Sequence, residues 1–148
     1  MPKKHQVRIR IVSDQEQEQT IQEFRGERID KDSTIYIRYE ETLTDTPLTG
    51  EAAKTTTTLK LGSDTIKLIR HGAVQSEQSF QMGCRLPGFY RSPFVQLQLS
   101  QLTSQLHINM QDIAGTVEWA YELFAHEEST GQFKVSLTIQ EDPDHESE

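Results

Sequence analysis

The residues that could carry chemistry are scattered along this chain and do not form a motif. Histidines stand at 5, 71, 107, 126 and 145, none two or four positions from another, and there is no HExxH pattern or Cys/His pair at zinc spacing, so no metal site is expected. Neither a Gly-x-Ser-x-Gly elbow, a phosphate-cradling glycine loop nor a dinucleotide fingerprint occurs, and no cofactor or catalytic residue is assigned. Cys84 is the single cysteine, which excludes an intrachain disulfide. Arg85 beside it would favour a thiolate, although an idle thiol is the plainer reading. Glu40-Glu41 and Glu127-Glu128 read as strand-end and turn charges. An enzyme built on this chain would have to assemble its acid and base in space, from residues distant in sequence.

Five side chains are better placed for binding than for catalysis. Arg38 lies between Ile37 and Tyr39 and faces away from both, alongside Tyr36; Arg70 shares parity with Ile66 and Leu68, which puts it on their apolar face just before Gly72. A guanidinium inside a barrel or at its mouth offers a bidentate contact to an anionic group, whereas on the outside it pairs with glutamates. Trp119 and Tyr121 share a face with Val117 and Leu123, a stripe that is core in a filled barrel and cavity lining in a hollow one. Phe89 and Tyr90 fall in a Gly- and Pro-containing segment, Met82–Ser92, read as a loop from which Tyr90 would cap an opening. Arg38, Arg70, Tyr90, Trp119 and Tyr121 are therefore the candidate ligand-binding residues.

The elements that must position them are strands. Val7–Ile11, Ile35–Tyr39, Val95–Leu99 and Val135–Ile139 each alternate apolar and polar residues, and successive side chains of a strand point to opposite faces. Strands are expected over 6–13, 17–29, 33–43, 54–61, 64–71, 74–81, 93–103, 105–111, 115–125 and 132–140. Hairpin-length links separate several of them, at Asp14–Glu16, Asp30–Asp32, Gly62–Asp64, Asp112–Gly115 and Glu127–Gly131. Leu43–Ala53 reads as a polar flap. No segment forms a capped amphipathic helix of useful length, although Leu99, Leu102 and Leu106 would share one face of a helical turn. Val95, Leu97 and Leu99 sit at odd positions and Leu102, Leu106, Ile108 and Met110 at even ones, so a bulge or turn is expected near Ser100–Ser104. The pattern predicts an all-β fold, a single antiparallel meander β-barrel of about 8–10 strands, occupying residues 1–140.

Composition agrees with that architecture. Only 34% of residues are hydrophobic and mean hydropathy is −0.65, as suits strands with one wet face. Net charge is −8, but five acidic residues lie in the last eight positions, leaving −3 for residues 1–140. Residues 141–148 are read as an acidic, disordered tail. A nearly balanced domain lacks the basic stripe that nucleic-acid binding needs, and no segment reads as a signal peptide or membrane helix. A cytoplasmic protein without nucleic-acid or membrane partners is expected.

Arg70-His71-Gly72-Ala73-Val74 followed by Gln78-Ser79-Phe80, then Phe89-Tyr90-Arg91-Ser92-Pro93-Phe94 leading to Leu97, Leu99 and Thr103, then Val117-Glu118-Trp119-Ala120-Tyr121 after Gly115, resembles the YwiB-like family of small bacterial proteins over residues 6–140. The resemblance implies a calycin-type, lipocalin-like β-barrel and implies no activity, catalytic residue or cofactor. The chain departs from the family pattern at Val95, where a glycine is expected. The expected function is a non-enzymatic protein binding a small, partly apolar molecule in the barrel or its mouth. The alternatives are a filled barrel acting as a homodimer or interaction protein, suggested by Val12 and Ile69 on nominally polar faces, and an enzyme without a recognisable motif.

Overall fold

Period-two alternation becomes ten antiparallel strands in the structure, a computed structural model that describes residues 3–42 and 53–142. They are β1 (Lys3–Gln15), β2 (Glu18–Lys31), β3 (Thr34–Thr42), β4 (Lys54–Leu61), β5 (Thr65–Gly72), β6 (Gln75–Gln81), β7 (Arg85–Arg91), β8 (Gln96–Met110), β9 (Gly115–Ala125) and β10 (Glu128–Glu141). Each pairs with its chain neighbours, and β1 pairs with β10 to close the barrel. Eight strands make an interior that side chains can fill, and diameter grows with strand number, so ten leave more width to occupy.

That interior has two halves. Up-and-down topology puts the β1–β2, β5–β6, β7–β8 and β9–β10 turns at one end, here called the upper end. Below lies an aliphatic cluster that includes Val7, Ile9, Ile37, Leu59, Leu61, Ile66, Val117 and Ile139, all buried. Each such side chain taken out of water contributes roughly 1.5–3 kcal/mol. Arg28 is buried on the inner face near the lower end; its Nε donates to Asp30 at 2.8 Å, and Nη1 donates to the Ala114 carbonyl at 3.4 Å. Above lies a band that is polar on the β3–β6 side, with Glu41, Thr55, Thr57, Arg70, Ser76 and Gln78 among its inward residues.

Four details differ from the sequence reading. Met82–Ser92 is not a loop, because Arg85–Arg91 forms β7; Pro87 and Gly88 disguise it. Residues 96–110 form one strand instead of two, with its register shift between Thr103 and Gln105, where a face change was expected. Upstream of that bulge Gln101 and Thr103 face inwards and Leu102 faces out at 37% exposure, so Leu102 does not share the face of Leu106. The link before β10 is a two-residue turn, His126–Glu127, with φ of 51° and 71°, the pairing that a type I′ hairpin needs; Gly131 instead marks a bulge inside β10, at φ 127°.

The end of the last strand also moves. Glu141 ends β10, and buried Asp142 follows, its N–H donating to the Gln6 carbonyl at 3.1 Å, so a tail can begin only after Asp142. Residues 143–148 lie outside the described residues, as does the expected flap except for Ala53. Val95 sits in the turn before β8 without a positive φ, held by Ser92, so no glycine is required there.

Candidate functional site

Charge on an apolar strand face is the local cause of the site. β3 continues its inward series Ile35, Ile37, Tyr39 to Glu41, and β5 continues Ile66 and Leu68 to Arg70. β4 lies between them, pairing Tyr39 with Thr57 and Thr57 with Arg70. The three polar groups consequently meet: Arg70 Nε donates to Glu41 Oε2 at 3.2 Å, and Thr57 Oγ1 donates to the same oxygen at 2.5 Å. Glu41 and Arg70 are both half-buried, and each offsets part of the solvation the other gives up on burial.

A cavity of about 230 Å³ opens beside this pair towards the upper end. One wall is polar, from Tyr39, Glu41, Arg70 and Gln78; the facing wall is apolar, from Ile11, Trp119, Phe133, Val135 and Leu137. Tyr121 also lines the cavity and is held between Phe80 and Phe133, with ring centroids 4.7 and 5.5 Å away. Phe24 stacks on Tyr39 at 4.5 Å. The rim carries Asp14, Glu18 and Lys134. Burial pushes the Tyr121 phenol up to about 12, against a smaller opposing pull from Arg70. Tyr39 is pushed up further by burial and then by the Glu41 charge, with Arg70 and Thr57 opposing. Both phenols therefore remain protonated donors at neutral pH.

Trp119 contributes a second polar feature. Trp119 is 2% exposed, and its Nε1–H has no partner among the described residues. An indole nitrogen only donates, and leaving such a donor buried and unmade costs about 1–3 kcal/mol. Ser76 Oγ, Gln101 Oε1 and Thr103 Oγ1 are likewise buried without partners among the described residues.

Of the five candidate residues, Arg70, Trp119 and Tyr121 come together at this cavity. Arg38 does not: it is exposed on the outer face, opposite Glu27 and Thr58, because Ile37 and Tyr39 take the inward positions. Tyr90 is a residue of β7 rather than a loop cap; it pairs with Ser76 and Leu97 and lies away from the cavity lining. Tyr39, Glu41, Thr57 and Gln78 were missed. Glu41 had the same signal as Arg70, a charge in phase with an apolar series, and was instead read as a strand-end charge.

Arg85 does not serve Cys84. Its guanidinium lies 3.8 Å from the Phe124 ring centroid, while Nε donates to Ser100 and Nη2 to Glu127. The cavity lining contains neither histidine nor cysteine, and among the described residues no three metal-ligating side chains cluster. What the arrangement can do is hold a molecule between a hydrogen-bonding wall and an apolar one.

A family model described as "Domain of unknown function (DUF1934)" matches residues 6–137. The chain belongs to the DUF1934 family. It is similar to the "Uncharacterized beta-barrel protein YwiB" of Bacillus subtilis (strain 168), 22% identical over 134 residues that make up 89% of each protein. The crystal structure of the ywiB protein from Bacillus subtilis matches with a TM-score of 0.72 at 21% identity, over 95% of this chain and 93% of that one. The family resemblance read from Arg70–Val74, Phe89–Phe94 and Val117–Tyr121 is thus borne out, and the barrel is a DUF1934 barrel. No helix of the described residues is long and apolar enough to cross a membrane.

Proposed function

We propose that this DUF1934 protein is a non-enzymatic, cytoplasmic binding protein that holds a small, partly apolar molecule in the upper mouth of its barrel. The observation carrying this reading is the two-sided cavity, with the Glu41–Arg70 pair on one wall and Trp119 and Phe133 on the other. At about 230 Å³ it falls just below the roughly 300–1,000 Å³ of drug-sized sites, so the occupant is small. Lipocalin-type barrels hold one ligand in the same way, between inward side chains at an open end.

Native mass spectrometry on gently purified protein tests this. The expected result is a stoichiometric small-molecule adduct that is lost on denaturation and absent from Arg70→Met protein that remains folded. A clean mass at a dimeric state would favour a second reading, an interaction protein working through its outer surface. Its support is the cross-strand pair Val12–Ile21 on the outer face, with Ile21 51% exposed. A clean monomeric mass would count against both.

A further inference from the structure

We infer that the upper half of β2 is a docking edge for a second copy of this chain, joined antiparallel about Ile21. β2 pairs with β1 from Glu18 to Asp30, but with β3 only over Gly26–Lys31. β3 itself continues beside β4 to Thr42, so the two strands part above Tyr39. Among the described residues this leaves β2 with a single ladder from Glu18 to Glu23, and that whole stretch is exposed. A sheet edge presents unpaired N–H and C=O groups, and proteins that stay monomeric blunt it with lysine, proline or a bulge. Between Glu18 and Glu23 there is neither lysine nor proline, and the register with β1 runs through without a bulge. At its centre stands Ile21, 51% exposed.

The side-chain pattern selects the occupant. Successive side chains alternate faces, so a two-fold axis joining two such edges must set one residue opposite its own copy. Val12 of β1 stands opposite Ile21, so an axis at Ile21 creates one apolar row across the outer face: Val12 and Ile21 of one copy, then Ile21 and Val12 of the other. The flanking rows are polar. Gln19 meets Glu23 of the second copy, an amide facing a carboxylate, with Asp14 behind the first and Arg10 behind the other. An apolar centre inside a polar rim is the anatomy of a specific interface. Shifting the axis to Gln22 sets Ile21 against Glu23, shifting it to Thr20 sets Ile21 against Gln19, and shifting it to Glu23 opposes two carboxylates. The second copy thus supplies the apolar neighbour that Ile21 lacks. The inference goes beyond the ligand reading and is independent of what the cavity holds; a dimer carrying the adduct satisfies both.

An edge this short falls at the low end of interface sizes, so the dimer should form with a Kd of about 10–100 µM. Sedimentation velocity from about 1 µM to about 0.5 mM reads it. Ile21→Lys sets two ammonium groups face to face and should weaken association at least about tenfold, with a native circular dichroism spectrum because the side chain is exposed. In a Cys84→Ser background, Ile21→Cys should cross-link under mild oxidation, since directly opposed Cβ atoms lie about 4.5–5.5 Å apart. Val12→Cys, separated from its copy by two intervening strands, should not. The two cysteine variants decide the question even if Ile21→Lys misfolds. A chain that is monomeric at every concentration would overturn the inference. So would a dimer indifferent to Ile21→Lys, or one that Val12→Cys links as readily, since either places the contact elsewhere.

Discussion

The side-chain amide of Gln101 on β8 donates to the Ser79 carbonyl on β6 at 2.8 Å, although β7 lies between those two strands. The reason is Pro87. Strands β6 and β7 pair only over Gln75–Gln78 with Gly88–Arg91, and continuing that register sets Ser79 opposite Pro87, which has no N–H to offer. Gln101 Nε2 supplies the missing donor and also reaches the Pro87 carbonyl at 3.4 Å. Its path runs over Gly88, where an added Cβ would stand 3.3 Å from Gln101 Oε1 and 2.5 Å from the Glu77 carbonyl.

Gln101→Leu should therefore destabilise the barrel by about 1–3 kcal/mol, since two carbonyls lose their donor in a buried wall. In that background Pro87→Ala restores a backbone N–H and should recover part of the loss. A double-mutant cycle by denaturant unfolding reads the coupling, and strict additivity would refute this account of Gln101.

The buried phenols set an alkaline limit. Tyr121 titrates near 10 in the unfolded chain and at about 12 in the fold, so its contribution is complete below pH 10 and is lost as pH rises towards 12. Two units correspond to at most about 3 kcal/mol. Tyr39 acts in the same direction. Tyr121→Phe should move the alkaline unfolding midpoint to higher pH, followed by circular dichroism alongside tyrosinate absorbance. A full complement of tyrosinate appearing near pH 10 in folded protein would contradict the burial assigned to both rings.

Removing one partner of the Glu41–Arg70 pair should hurt more than removing both. Arg70→Met leaves a half-buried carboxylate with Thr57 as its remaining donor, at a cost of about 1–3 kcal/mol. Adding Glu41→Gln keeps an acceptor for Thr57, removes the unpaired charge and should return about 1 kcal/mol. Urea titrations of the two single variants and the double variant decide this; a double variant no better than Arg70→Met would mean that water already solvates Glu41.

Asp142 should matter beyond its position at the end of β10. Arg8 and Arg25 stand directly opposite each other on β1 and β2, and the Asp142 carboxylate lies 3.5 and 3.8 Å from their Nε atoms. Like charges facing across strands repel, so Asp142→Asn is expected to cost about 1 kcal/mol. Added salt should recover part of that loss by screening the two arginines. Thermal melts at low and high ionic strength check both; a variant equally destabilised at every salt concentration would point to packing instead.

Parity along a strand was legible wherever one chemistry alternated with another. It set Arg70 among Ile66 and Leu68, put Trp119 and Tyr121 on one face, and turned Arg38 outwards, away from the interior. It was available for Glu41 as well, but a charge beside Glu40 at a strand end looks like ordinary surface. Alternation fails at β7, where Leu-Pro-Gly reads as a break, because the group that rescues the strand lies on β8.

By itself the sequence determined that this is a meander of strands, which faces are dry, and where the face changes along β8, since side-chain alternation follows from backbone geometry within a few residues. Only the tertiary structure decided which dry faces meet. Glu41, Arg70 and Trp119 share a cavity because ten strands close on themselves with one particular stagger. That stagger is settled by packing summed around the whole barrel, and no local run of residues carries a signal for it.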